Sequence, residues 1–257
     1  MSSADSLSRL TDSLVSGGRG RTAQTYDEVV KDLIMSEKSY LRDLHMITKV
    51  FREQILRLPP NLASNQELDA IFSNINDITE LTITLIGSLE DTLEMAEDGQ
   101  VAGQLSSTTL AFKFMFQVTA IGSCFEELAE AEEFEVYEKY ARDVLNPESR
   151  IRFDSLLAQP EVGDKLQSSG QGFREAVKFY LPKLLLGPVL HCFHYFKYIE
   201  LLTRLTPCSE DRDSLEQVSA MLTPLHNKLS SARESSQLVS SILGGKPGRK
   251  QSEVFHR

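Results

Sequence analysis

The sequence predicts an all-α fold, and three observations carry that prediction. Apolar residues recur at spacings of three and four over most of the chain, the period of a helix with one buried face. No run of short alternating strands interrupts them. Glycine (14) and proline (9) are sparse among the 257 residues, about 9% together against a usual ~12%.

The elements follow in order. Residues 1–24, rich in Ser, Gly and Arg without a sustained apolar stripe, predict a flexible leader. Thr25 with Glu28 three residues later has the form of a capping box. It opens a helix to about Leu58, with Tyr26, Val30, Leu33, Tyr40, Leu44, Ile47 and Phe51 along one seam. One slot of that seam holds Glu37. A carboxylate on an apolar stripe must find a partner, lie at the stripe's edge, or face something that binds there. Pro59 and Pro60 end the helix, since proline cannot continue the backbone ladder.

Leu68 to Leu93 predicts a second helix with a broad apolar face. Residues 102–120 lie in a stretch where Lys113 is the only charge between Asp98 and Glu126. They read as an insertion that loops out between helices. Ser123 to Leu145 restores the helical pattern, with Phe125, Leu128, Tyr137, Tyr140, Ala141 and Val144 inward. Seven glutamates between Glu126 and Glu138, with no basic residue among them, predict a solvated face. Ile151 to Leu157 and Gly172 to Leu205 predict two further helices. The second should be broken or kinked near Pro182 and Gly187-Pro188, and Pro207 ends it. Leu215 to Leu229 predicts a last helix, bent or split at Pro224. Residues 236–257 predict a basic, disordered tail.

Charge and cysteine usage bound the function. The net charge is −10, and the body between residues 24 and 243 carries −14. That argues against nucleic acid as the main ligand, because phosphate binding needs concentrated Lys and Arg. Cys124, Cys192 and Cys208 are odd in number and widely spaced, which is no disulfide framework. Without a signal peptide, a cytoplasmic setting is expected. Leu184 to Phe196 is the most apolar run, but its 13 residues fall short of the ~20 that cross a bilayer. It predicts a buried core helix and no transmembrane segment.

No catalytic motif is found: no GxSxG, P-loop, GxGxxG after a strand, or HExxH. His191, Cys192 and His194 invite a metal reading, but they lack two further ligands at metal spacing and lie in that same apolar run. They are expected to be buried and hydrogen-bonded, with no metal and no cofactor. Cys208, beside Pro207, is a candidate exposed thiol.

The string Thr25-Tyr-Asp-Glu-Val-Val, continued by Ser36-Glu-Lys-Ser-Tyr-Leu-Arg-Asp-Leu-His-Met-Ile-Thr-Lys-Val-Phe-Arg-Glu53, resembles the first conserved region of Dbl-homology (RhoGEF) domains. Leu85 to Asp91, Gly122 to Ala129, and Tyr180 to Pro188 with His194 to Phe196 resemble later parts of the same family. The resemblance covers roughly Thr25 to Leu229, so a Dbl-homology domain is expected over residues 25–235. It implies an elongated, all-helical bundle that speeds nucleotide release from Rho/Rac-type small GTPases without covalent chemistry. It also implies recruitment to the membrane as part of a larger exchange factor. In that family the first and penultimate helices grip the GTPase switch regions, and the glutamate matching Glu37 contacts switch I.

The third conserved region departs from the family's Lys-Pro-x-Gln-Arg and following basic residue. Here the run is Gly187-Pro188-Val189-Leu190-His191, with His194 as the later basic position. The resemblance therefore marks Glu37, His191, His194 and Asn227 as GTPase-facing candidates. The departure leaves a rival open, a scaffold or autoinhibitory helical domain binding other domains of a full-length exchange factor. No pleckstrin-homology or Ras-exchange region is recognisable, so the chain is expected to be a fragment or truncated product.

Overall fold

The computed structural model describes residues 25–101 and 121–236, with side chains described for 25–94 and 121–236. The expected leader, the insertion at 102–120 and the tail beyond Ser236 lie outside them. Every regular element among the described residues is helical. Helix α1 (Tyr26–His45) opens on the predicted capping box, in which Thr25 and Glu28 each satisfy the other's backbone N–H. It continues through a π-helical stretch, Met46–Arg52, into α2 (Glu53–Leu56). The Thr48 hydroxyl donates to the Leu44 carbonyl at 2.9 Å, a local competitor for the backbone ladder just where the helix widens.

The predicted second helix is two. Helix α3 (Asn65–Phe72) has its own Ser64–Glu67 capping box, and α4 (Ile75–Val101) follows. Ser73 breaks them, with φ 46°. Its hydroxyl donates to Asp143 at 2.7 Å and the Asn74 amide donates to the Val136 carbonyl at 3.0 Å, so side-chain bonds fix a turn that apolar periodicity cannot register. The next predicted helix also divides. Residues 121–130 form α5, Glu132 is left-handed at φ 58°, a 3₁₀ turn covers Glu133–Glu135, and α6 is Val136–Val144. Tyr137, Tyr140, Ala141 and Val144 are buried as expected. Five of the seven glutamates are exposed and two are intermediate.

Helix α7 (Pro147–Ala158) is followed by α8 (Pro160–Ser168), which was not foreseen, and by α9 (Phe173–Phe179). Tyr180 separates α9 from α10 (Leu181–Leu205), so the break falls two residues before Pro182. Pro182 then lies in the first turn, where its missing N–H costs nothing. Pro188 and Pro224 are both carried within unbroken helices, so neither helix is split there. The last helix, α11 (Ser209–Ser235), is longer at both ends than its apolar stripe suggests.

Helix α10 is the axis of the bundle, its apolar surface buried against α1, α6, α9 and α11. Spanning 27 residues, α4 and α11 each extend about 40 Å at 1.5 Å per residue. One continuous core runs from Val29 to Leu229.

Candidate functional site

The α1–α10 seam holds the polar residues that the sequence singled out. Its contacts run in opposite senses along the two helices. Tyr198 donates to Asp32 at 2.9 Å, Tyr195 and His191 reach Glu37, and Phe51 lies 6.2 Å from Tyr180. The two helices are therefore antiparallel.

Glu37 is fully buried. Its Oε2 accepts the Tyr195 hydroxyl at 2.9 Å, and its Oε1 lies 2.7 Å from His191 Nε2. Carboxylate oxygens accept, so Nε2–H is the donor of this pair. The His191 ring stacks on Tyr40 with centroids 3.7 Å apart and planes inclined at 17°. The hydroxyls continue from Tyr195 to Tyr137 and from Tyr137 to Tyr40, at 3.4 Å each. Burial, and then neighbouring groups, raise all three tyrosines well above the ordinary phenol range. They are neutral hydrogen-bonding groups at any physiological pH.

Of the three options open to a carboxylate on an apolar stripe, the structure takes the internal partner. The expectation that Glu37 faces a GTPase is not met in this conformation, because its carboxyl is sealed between α1 and α10. Burying a charge is tolerable only when it is fully hydrogen-bonded, and both oxygens here are. Sequence reasoning missed Tyr195, although its position one helical turn after His191 placed both on one face of α10.

The other candidates lie nearby in differing states. His194 is half-buried, its ring 5.4 Å from that of His191. Burial, then the charges of His191 and Lys197, depress its pKa from 6.5 to about 3. It is neutral near pH 7, so the later basic position of the third conserved region carries no charge there. Asn227 is exposed on α11. Its neighbour His226 packs edge-on against Phe196 at 4.6 Å and Phe193 at 5.5 Å, which sets this turn of α11 beside the His194 turn of α10. A Cβ at Gly187 would meet nothing within 4 Å, so the surface is open where the family carries a lysine. Among the described residues no group of His, Cys, Asp and Glu is arranged to hold a metal. Cys192 is buried and its thiol is pushed up by desolvation. Cys208 is buried as well, not exposed. No described helix is long and apolar enough to cross a membrane.

A second buried carboxylate escaped the sequence reading. Asp211 accepts the Gly122 N–H at 2.8 Å and the Tyr26 hydroxyl at 3.0 Å, joining α5 to the starts of α1 and α11. Desolvation raises its pKa even against those hydrogen bonds.

The state of His194 makes a prediction. Unfolded, the imidazole takes a proton near pH 6.5; folded, it resists until about pH 3. The unfolded chain binds more protons in that window, so His194 lowers stability as pH falls from 6.5 towards 3. His194→Gln should flatten that part of the acid limb in urea unfolding series at pH 7, 6 and 5. An unaltered slope would show that the ring is already solvated.

An antiparallel helical bundle whose first and penultimate helices meet in one seam is the architecture of an exchange-factor domain, and the comparisons agree. The RhoGEF domain family model matches residues 29–229, from the first turn of α1 into α11, and the chain belongs to that family. It is 48% identical over 206 residues to "Protein son of sevenless" of Drosophila melanogaster. Over 213 residues it is 29% identical to the "Son of sevenless homolog" of Caenorhabditis elegans. These alignments cover 80% and 75% of this chain but only 12% and 13% of the relatives. Among solved structures, the DH domain of FARP2 superposes with a TM-score of 0.52 at 19% identity, over 84% of this chain and 96% of that one. Autoinhibited Vav1 gives 0.60 at 18% identity, over 87% and 36%. At such identities these two speak for the fold alone.

Proposed function

We propose that this chain is a guanine-nucleotide exchange module that acts on a Rho/Rac-type small GTPase by engaging its switch regions. The observation that carries the reading is the extent of the family match, which spans the whole seam-forming bundle. Exchange of this kind requires no bond to be made to the protein. A factor that binds the nucleotide-free GTPase more tightly than the loaded one lowers the cost of losing the nucleotide, and release accelerates by differential binding. A membrane-recruited protein of the cytoplasm is the setting in which such a module works.

Within the site, roles divide by accessibility. Asn227 and the open turn at Gly187 belong to the partner-facing surface. Glu37 and His191 are positioning residues in the closed seam: they fix the register of α1 on α10, and direct contact of Glu37 with a switch follows only if the seam opens. A second reading, a scaffold or autoinhibitory domain, draws support from two features. Position 187 offers no cation, and His194 is neutral.

Release of a fluorescent guanine nucleotide from purified Rac separates the two. Exchange predicts acceleration by the chain and a loss of at least tenfold in Asn227→Ala, whose exposed side chain makes its effect on folding small. Gly187→Lys, for which there is room, should raise the rate by placing a cation at the GTPase-facing turn. Release at the spontaneous rate with wild type and Gly187→Lys alike, beside measurable binding to other exchange-factor domains, would establish the scaffold.

A further inference from the structure

Away from the α1–α10 seam, α7, α8 and α9 enclose an open groove of about 420 Å³. Its floor is apolar, formed by Leu157, Ala158 and buried Leu166. Phe179 stands at the rim and is 61% exposed. The walls are charged, but the charges are not equally engaged. Arg150 is committed to Asp154 at 2.9 Å. Arg174 and Lys178 are both exposed, and among the described residues neither lies within ion-pair distance of a carboxylate.

Those two cations sit four residues apart on one face of α9. Like charges at that spacing repel and weaken the helix, while the Arg174 guanidinium packs over Gly163 of α8. The Lys178 ammonium also lies over the Phe179 ring, 5.1 Å from its centroid, which holds cation and aromatic surface together at the groove's edge. Residues 147–183 carry six basic against five acidic side chains, within a body of net charge −14. An anionic ligand therefore meets less repulsion here than over most of the protein.

We propose that this groove is a docking site for an acidic peptide segment of a partner protein, anchored by an aromatic or long aliphatic side chain. The anchor fills the recess over Leu157 and Leu166 and covers Phe179, removing exposed apolar surface from water. Flanking Asp or Glu residues pair with Arg174 and Lys178. The remaining wall carboxylate favours a peptide over a phosphoryl surface. Glu175 can accept a backbone N–H group, which a peptide offers and a phosphoryl surface does not. The concave shape likewise suits an inserted side chain better than a flat bilayer.

The proposal is independent of exchange activity and is tested without it. A random twelve-residue peptide phage library is selected on the full chain, with counter-selection on Lys178→Glu/Phe179→Ser. Both substitutions lie at exposed positions, and matching thermal melts by circular dichroism confirm that the variant folds. The expected result is enrichment of sequences combining Asp or Glu with Phe, Leu or Met. Synthesised with a fluorescent label, those peptides should bind the variant at least tenfold more weakly in polarisation titrations and weaken further in 0.5 M salt. Failure of wild type to enrich acidic, apolar sequences overturns the proposal, as does equal binding to the variant. Co-sedimentation with phosphatidylserine vesicles that the variant abolishes, without peptide enrichment, overturns it in favour of a membrane surface.

Discussion

His191→Phe should lower the unfolding free energy by about 1–3 kcal/mol, the cost of leaving a buried hydrogen-bonding group without one of its partners. Phenylalanine preserves the ring that stacks on Tyr40 at 3.7 Å, so packing changes little. What disappears is the donor to Glu37 Oε1, leaving a fully buried carboxylate held by Tyr195 alone. Adding Glu37→Gln should recover part of the loss, because the orphaned group is then neutral and its amide oxygen still accepts from Tyr195. The two substitutions touch one network, so their effects should fail to add by about 0.5–3 kcal/mol. Urea unfolding of the two single variants and the double variant, followed by circular dichroism, measures each term. A loss below about 1 kcal/mol in His191→Phe would mean that water or another donor reaches the carboxyl.

Gly122→Ala should cost about 2–3 kcal/mol, at the upper end of what overpacking usually causes. A Cβ there would lie 2.9 Å from both the backbone oxygen and Oδ1 of Asp211, and 3.0 Å from Ser214 Cβ. A flexible side chain could swing aside, but the obstructing carbonyl belongs to the first turn of α11. Relief requires α5 and α11 to separate, which stretches the 2.8 Å bond from Gly122 N–H to Asp211. The companion variant Gly187→Ala meets nothing within 4 Å and should be neutral or slightly stabilising, since alanine is the better helix former. Thermal melts of the two variants give the comparison directly. Equal melting temperatures would show that the α5–α11 contact is loose.

How much was legible in the sequence depended on the kind of interaction that decided each feature. Helices set by amphipathic periodicity were readable, and so was the capping box at Thr25, whose two partners are three residues apart. The break at Ser73 was not, because it depends on Asp143 and Val136, far along the chain. Proline marked where a helix could break or bend, and at Pro188 and Pro224 it does not break. Pro188 and Pro224 look like breakers locally, yet each sits in a helix held on both sides by buried neighbours, and tertiary packing outweighs the lost N–H. Periodicity picked out Glu37 as anomalous but not what satisfied it, since His191 lies 154 residues away. Asp211 continues the register of Leu215, Val218 and Leu222 by one turn towards the helix start, but a stripe read from apolar residues alone begins at Leu215 and passes over it.

The tyrosine hydroxyls in the seam have a handedness that their positions alone do not reveal. Each phenol owns a single hydrogen. Tyr195 spends its own on the carboxylate, so at the next contact Tyr137 must be the giver, and Tyr40 in turn must give to Tyr137. One carboxyl acceptor thus orients a relay that spans three helices, every O–H pointing the same way. Removing that acceptor, as in Glu37→Leu, would free all three rotors together. The resonances of these buried hydroxyls would then act as a remote reporter on a group too deep to probe from solvent.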